Sequence, residues 1–175
     1  LNILAESYWK YSGIKPARNN FHRVLAQNMV HGCTVMINQP LAELCREIPS
    51  DAVMYDWWLA LTASCFGKIT AIEEPTLRYR QHGSNLIGAH KWSLPFILKR
   101  LANEQIGDSM LNASYRQARA FLETHRQRLE PGQLLMLDTF GNLSEMNFLQ
   151  KRLAVLRFGF FKQGLLRNLN MLLRM

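Results

Sequence analysis

The stretch YDWWLALTASCFG, Tyr55 to Gly67, sets one carboxylate, Asp56, directly before two indoles and an apolar helical run. Two roles fit Asp56. As a helix N-cap, its side chain accepts a hydrogen bond from the second or third amide of the helix. As a general base, it takes a proton from a hydroxyl while bonds rearrange, and the positive end of the helix dipole keeps the carboxylate charged. The roles are compatible, because a cap uses one oxygen and leaves the other outward. Adjacent helix positions point about 100° apart, so Trp57 and Trp58 cannot face one core equally. Either both are core residues, or one lines a groove where its indole face suits the apolar side of a sugar ring.

A second group of chemistry-bearing residues follows in LRYRQHG, Leu77 to Gly83. Strand alternation puts Arg78, Arg80 and His82 on one face and Leu77, Tyr79 and Gln81 on the other. Guanidinium forks match the oxygens of a diphosphate, and a histidine beside them suits phosphate or a metal ion. The plainer alternative is the solvated face of an edge strand. Other motifs are missing from the sequence: GxxxxGK[ST], GxGxxG after a strand, HExxH and GxSxG. The chain builds no self-contained nucleotide or hydrolase site from these.

The elements that must position these residues follow from pattern. Leu1 to Tyr11 is expected to end a helix, and Ser12 to Asn20, with Gly13, Pro16 and two asparagines, to form a loop. Phe21 to Asn28 suits one or two helical turns. GCTVMIN, Gly32 to Asn38, is a short β-branched apolar run and predicts a buried strand. Pro40 opens a helix over Leu41 to Glu47. Asp56 to Phe66 is a helix closed by Gly67. KITAIEE and TLRYRQH predict two short strands split by Pro75. Amphipathic helical patterns then cover His90 to Asn103, Ser109 to Arg128, Pro131 to Gly141, Ser144 to Phe158 and Phe161 to Met175. The expected fold is therefore an α/β unit with few short strands over residues 1–89, followed by an all-helical extension over 90–175, mostly α overall.

Composition agrees with a folded chain: 48% of the 175 residues are hydrophobic and 19% charged. The net charge of +8 is uneven. Residues 1–88 hold eight Lys/Arg and seven Asp/Glu, whereas residues 89–175 hold thirteen and six. That asymmetry suits a polyanionic partner. Three cysteines without CxxC spacing, Cys33, Cys45 and Cys65, fit neither a zinc site nor a disulfide framework, and reduced thiols in a cytoplasmic protein are expected. No apolar run approaches the length of a membrane span.

Taken together, HGCTVMIN, YDWWLALTASCFGKI and EEPTLRYRQHGSNLIGA resemble the C-terminal half of bacterial family 2 glycosyltransferases of the GT-A fold, most of all the rhamnosyltransferase-like enzymes of O-antigen and other surface polysaccharides. The resemblance covers residues 1–89. It implies an inverting transfer of a sugar from a nucleotide-sugar donor to a glycan or lipid-linked acceptor, with Mg²⁺ or Mn²⁺ on the leaving diphosphate. Asp56 matches the family's catalytic base, His82 a late histidine near the metal or diphosphate, and Arg80 a residue assisting the leaving phosphates. Gly32 and Cys33 match the segment entering the acceptor side, with Trp57 and Trp58 beside it; His31 stands where the pattern often has threonine. No D-x-D metal motif occurs in the chain. With Leu1 opening in mid-helix, these residues are expected to be the acceptor and catalytic-base piece of a longer enzyme, inactive alone, with no tightly bound cofactor.

Partners and place follow from the same reading. Exposure of Trp57 or Trp58 predicts a homo-oligomer. Over residues 161–175, Leu165, Leu166, Leu169, Leu172 and Leu173 form one stripe flanked by Lys162, Arg167 and Arg174, a pattern that suits burial against protein or peripheral contact with a membrane. A cytoplasmic location, at the inner face of the plasma membrane, is expected. The competing hypothesis is a basic helical module binding nucleic acid or an anionic membrane surface. The sequence shows no helix-turn-helix, RRM or KH signature, so nucleic acid is not expected as the partner.

Overall fold

A computed structural model describes residues 3–80, 93, 95–96 and 104–175. Among them the first helix, α1, spans Tyr8–Ser12. Gly13 ends it in the left-handed region at φ 64°, a conformation that costs glycine little. The Gly13 amide donates to the Lys10 carbonyl and the Ile14 amide to that of Trp9, so the chain turns while Ile14 enters the core. Helix α2 spans Phe21–Ala26, and α3 spans Gln39–Leu44 with Pro40 in its first turn and Asn38 capping the Leu41 amide. Helix α4, Tyr55–Phe66, carries Asp56. Four helices follow: α5 over Glu104–His125, α6 over Pro131–Gly141, α7 over Phe148–Phe158 and α8 over Leu165–Arg174. Of the expected helix over His90 to Asn103 only residues 93, 95 and 96 are described, the last two as helix.

The α/β expectation is overturned, because the described residues contain no strand and the fold they show is helical. A strand needs a neighbouring chain to pair its amides and carbonyls. In GCTVMIN two of the amides find other partners. Gly32–Thr34 is a 3₁₀ turn in which the Thr34 amide donates to the His31 carbonyl, and the Gly32 amide donates to Asp56. Val35 has extended dihedrals but joins no ladder. Over residues 68–80 the Ile69 carbonyl is taken by the Asn19 side chain, and residues 72–80 lie exposed. The β-branched composition was real; no strand is beside it to pair with.

One hydrophobic cluster joins residues from Ile14 to Met171. Helix α2 packs on α4 and α5, and α5 packs along α6. Phe121 of α5 is fully buried and gathers Phe21, Trp58, Phe66 and His125, with ring centroids 4.6–6.2 Å away. A second aromatic group joins Tyr115, Phe140, Phe158 and Phe160. Burying each such ring contributes roughly 1.5–3 kcal/mol, so the helices after Glu104 support those before Phe66. They also hold α4 at both ends. The buried Gln117 of α5 accepts from the Val53 amide at 2.8 Å, two residues before α4 begins. Gln133 of α6 donates to the Cys65 carbonyl at 3.0 Å in its last turn.

Candidate functional site

Asp56 is the second residue of α4, not its cap. Met54 stands at the cap position without a side-chain bond. The aspartate therefore lies two residues past the cap position, and its carboxylate turns instead to the segment after α2. Oδ2 accepts from the Gly32 amide at 2.9 Å, and Oδ1 accepts from Asn28 Nδ2 at 3.1 Å. Asn28 is itself held, because its Oδ1 accepts from the Val30 amide at 3.0 Å. That bond fixes which end of the amide faces Asp56. The carboxylate is half-buried, and each oxygen keeps lone-pair capacity for a further donor.

Aromatic rings line the segment that holds this carboxylate. His31 meets the Tyr8 ring edge-on with centroids 4.1 Å apart, and Tyr8 in turn meets Tyr79 at 6.5 Å. Burial lowers the His31 pKa from its usual value, and the negative charge of Asp56 opposes that shift. The Tyr55 ring lies over Gly32: a Cβ there would stand 1.7 Å from the Tyr55 hydroxyl oxygen. Glycine is thus required for Tyr55 to approach the backbone that donates to Asp56. Tyr55 is itself 56% exposed, and Cys33 next to Gly32 is also at the surface. The arrangement is a half-buried carboxylate oriented by two donors, close enough to His31 for their charges to interact, with the Tyr55 ring over the Gly32 backbone that holds it. It can accept a proton or a hydrogen bond from a hydroxyl-bearing ligand.

The structure brings together Asp56, Gly32 and Cys33 among the residues expected at the site. Trp57 and Trp58 are placed elsewhere. The Trp57 indole donates to the Val24 carbonyl at 2.6 Å inside the core, and Trp58 is fully buried against Phe121 and His125. Neither faces a groove, and the exposed tryptophan patch on which the homo-oligomer expectation rested is not at the surface. Arg78 and Arg80 lie on the exposed 72–80 segment, and its Tyr79 touches the rim. His82 lies outside the described residues. Sequence reasoning missed Asn28, Tyr8 and Tyr55. Tyr55 had a signal, since it stands next to Asp56 one helical position away; Asn28 and Tyr8 are brought in only by the tertiary fold.

Among the described residues no three His, Cys, Asp or Glu side chains gather to hold a metal ion. They do not by themselves fit a Mg²⁺ or Mn²⁺ site. The cysteines differ in environment: Cys45 is buried, and burial pushes the Cys65 thiol up to about 12. No helix among the described residues is long and apolar enough to cross a membrane. No protein-family model, curated protein or solved structure matches the chain.

Proposed function

We propose that this chain is the acceptor-side, catalytic-base part of an inverting glycosyltransferase acting in surface-polysaccharide synthesis. The observation that carries the reading is the half-buried Asp56 carboxylate, held by Asn28 and the Gly32 amide. In this reading the acceptor hydroxyl lies against Asp56, which takes its proton as the oxygen bonds to the anomeric carbon and the bond to the leaving nucleoside diphosphate breaks. Tyr8 and Tyr55 flank the acceptor sugar, replacing the tryptophans first expected there. The likeness of HGCTVMIN, YDWW and LRYRQHG to rhamnosyltransferase-like enzymes supports the reaction class. Donor and metal contacts come from outside these 175 residues, which contain no D-x-D.

The test is transfer of labelled sugar by a full-length enzyme carrying Asp56→Asn. Turnover should fall by about 10²–10⁴-fold with donor affinity unchanged, since base catalysis contributes on that order. Asn offers one acceptor oxygen where the carboxylate offers two, so one of the Asn28 and Gly32 donors loses its partner; a stability loss of about 1–3 kcal/mol is expected, and turnover is measured well below the melting temperature of the variant. Unchanged turnover in this variant overturns the proposal.

A further inference from the structure

The segment that follows α2 is fastened from inside. Met29 is buried, and the Gln27 side chain accepts from the Gln163 amide at 2.7 Å, which ties the end of α2 to the chain after α7. Helix α4 is fastened to α2 in turn, because the Trp57 indole donates to the Val24 carbonyl at 2.6 Å. Asn28 joins these two fixed bodies, and its side chain bonds at both ends. Oδ1 accepts from the Val30 amide at 3.0 Å, an Asx-type turn over two residues. Nδ2 donates to Asp56 Oδ1 at 3.1 Å. The turn leaves the amide group one orientation, since a flip would set its NH₂ against the Val30 N–H and its oxygen against a carboxylate. The Gly32 amide holds the other carboxylate oxygen at 2.9 Å. Asp56 is thus fixed by one donor on each oxygen, both from residues 28–32. Neither bond caps α4, whose cap residue is Met54.

We propose that Asn28 is a positioning residue, which sets through its bond to Oδ1 the direction in which Asp56 offers its remaining lone pairs to the acceptor hydroxyl. This rests on the reading of Asp56 as the base. A base acts along its lone pairs, and a misplacement of about 1 Å can cost 10²-fold in rate. The Gly32 bond fixes one oxygen and leaves the carboxylate free to swing about it; the Asn28 bond fixes the second. That bond runs from a neutral donor to an ionised acceptor, so it is short of a salt bridge in charge yet stronger than a bond between neutral groups. The side chain at this place has to accept from Val30 and donate to Asp56 at once. An aspartate would accept from Val30 equally well but face Asp56 with a second negative charge, and a leucine of similar size would do neither. Asn28 makes and breaks no covalent bond during transfer; the proton passes from the acceptor hydroxyl to Asp56.

The experiment reads stability and turnover separately. Asn28→Asp, Asp56→Asn and the double variant carrying both are unfolded in urea as the 175-residue chain. Each single variant should lower the midpoint. The double variant exchanges amide and carboxylate, re-forms the bond between them in the reverse direction, and should recover most of the loss. A double variant no more stable than Asn28→Asp overturns the proposal, because the two side chains then do not act on each other. Turnover of labelled donor is measured in the full-length enzyme, well below each melting temperature. Asn28→Leu and Asn28→Asp, the second unchanged in shape, should each lower kcat about 10–10²-fold with the donor KM unaltered. A purely structural role moves the midpoint and leaves kcat alone. Normal kcat in both Asn28 variants beside an impaired Asp56→Asn overturns the positioning role and keeps Asp56 as the base. Normal kcat in Asp56→Asn overturns both.

Discussion

His125 sits at the end of α5, 4% exposed, in a cage of Trp58, Phe66 and Phe121. Its Nε2 is buried without a hydrogen-bond partner. Burial lowers its pKa, and the charge of Arg128 lowers it further. His22 and His31 are lowered too, each chiefly by burial, with Arg23 adding to the shift at His22 and Asp56 opposing it at His31. The folded chain thus holds these rings neutral where the unfolded chain, with an ordinary value of about 6.5, takes up protons. As pH falls through the window from about 6.5 down to the folded values, the unfolded state binds more protons and stability declines. Above that window it is fully present. His125→Phe removes one ring from this balance. The drop in melting temperature between about pH 7 and pH 5 should be smaller in the variant than in the parent, as followed by circular dichroism; an equal drop means that His125 does not carry the effect.

Helix α8 shows what side-chain burial achieves at the level of an element. Arg167 donates to the Ser12, Gly13 and Gln163 carbonyls, and so closes the C-terminal end of α1 from a helix more than 150 residues away. Burial lowers its proton affinity, and the nearby Tyr8 phenol opposes that. Arg167→Met should cost about 1–3 kcal/mol, because carbonyls that it satisfied remain buried. Arg167→Lys should recover little, since one ammonium does not reproduce a planar fork. Urea unfolding measures both; a midpoint unchanged in Arg167→Met would make the contacts neutral. The existence of the helices was legible from the sequence wherever apolar periodicity ran long, as over Pro131–Gly141, where proline and pattern agree with the structure at both ends. Orientation was not. Counting leucines on α8 assumes that apolar side chains go inward, whereas here two carbonyls at the end of α1 and that of Gln163 bring the arginine inward. The strand expectations failed for a related reason: β-branched composition does not provide a partner, and the Gly32 amide went to the Asp56 side chain while that of Thr34 paired locally with His31. At the site, Asp56 was legible as a carboxylate at a helix start, but its donors depend on where the segment after α2 lands.

On the scale of the whole molecule, residues beyond α7 complete the core. Gly159 ends α7 at φ 70°, and Phe160 immediately enters the interior, fully buried against Phe140 and Phe158. The buried Gln163 follows: its side chain donates to the Lys15 and Arg18 carbonyls, and its amide donates to the Gln27 side chain. A chain ending at Gly159 should therefore lose its cooperative thermal transition, since a Phe truncation alone costs about 3–5 kcal/mol against a total of roughly 5–15 kcal/mol. Calorimetry checks this, and a shortened chain that melts like the parent would make the terminal segment an accessory.

The three thiols give the molecule a built-in address. Cys45 is buried and Cys65 is held up at about 12, so neither offers much thiolate to a reagent near neutral pH. Cys33 stands at the surface, one residue after the amide that holds Asp56. A maleimide dye given to the native protein should attach at that one position, which peptide mass mapping reveals, whereas comparable labelling of Cys65 would contradict the assignment. No cysteine has to be introduced or removed. The dye then reports from the residue next to the donor that holds the carboxylate, and a change in its emission during titration with a glycan would give the proposed acceptor site a direct binding readout.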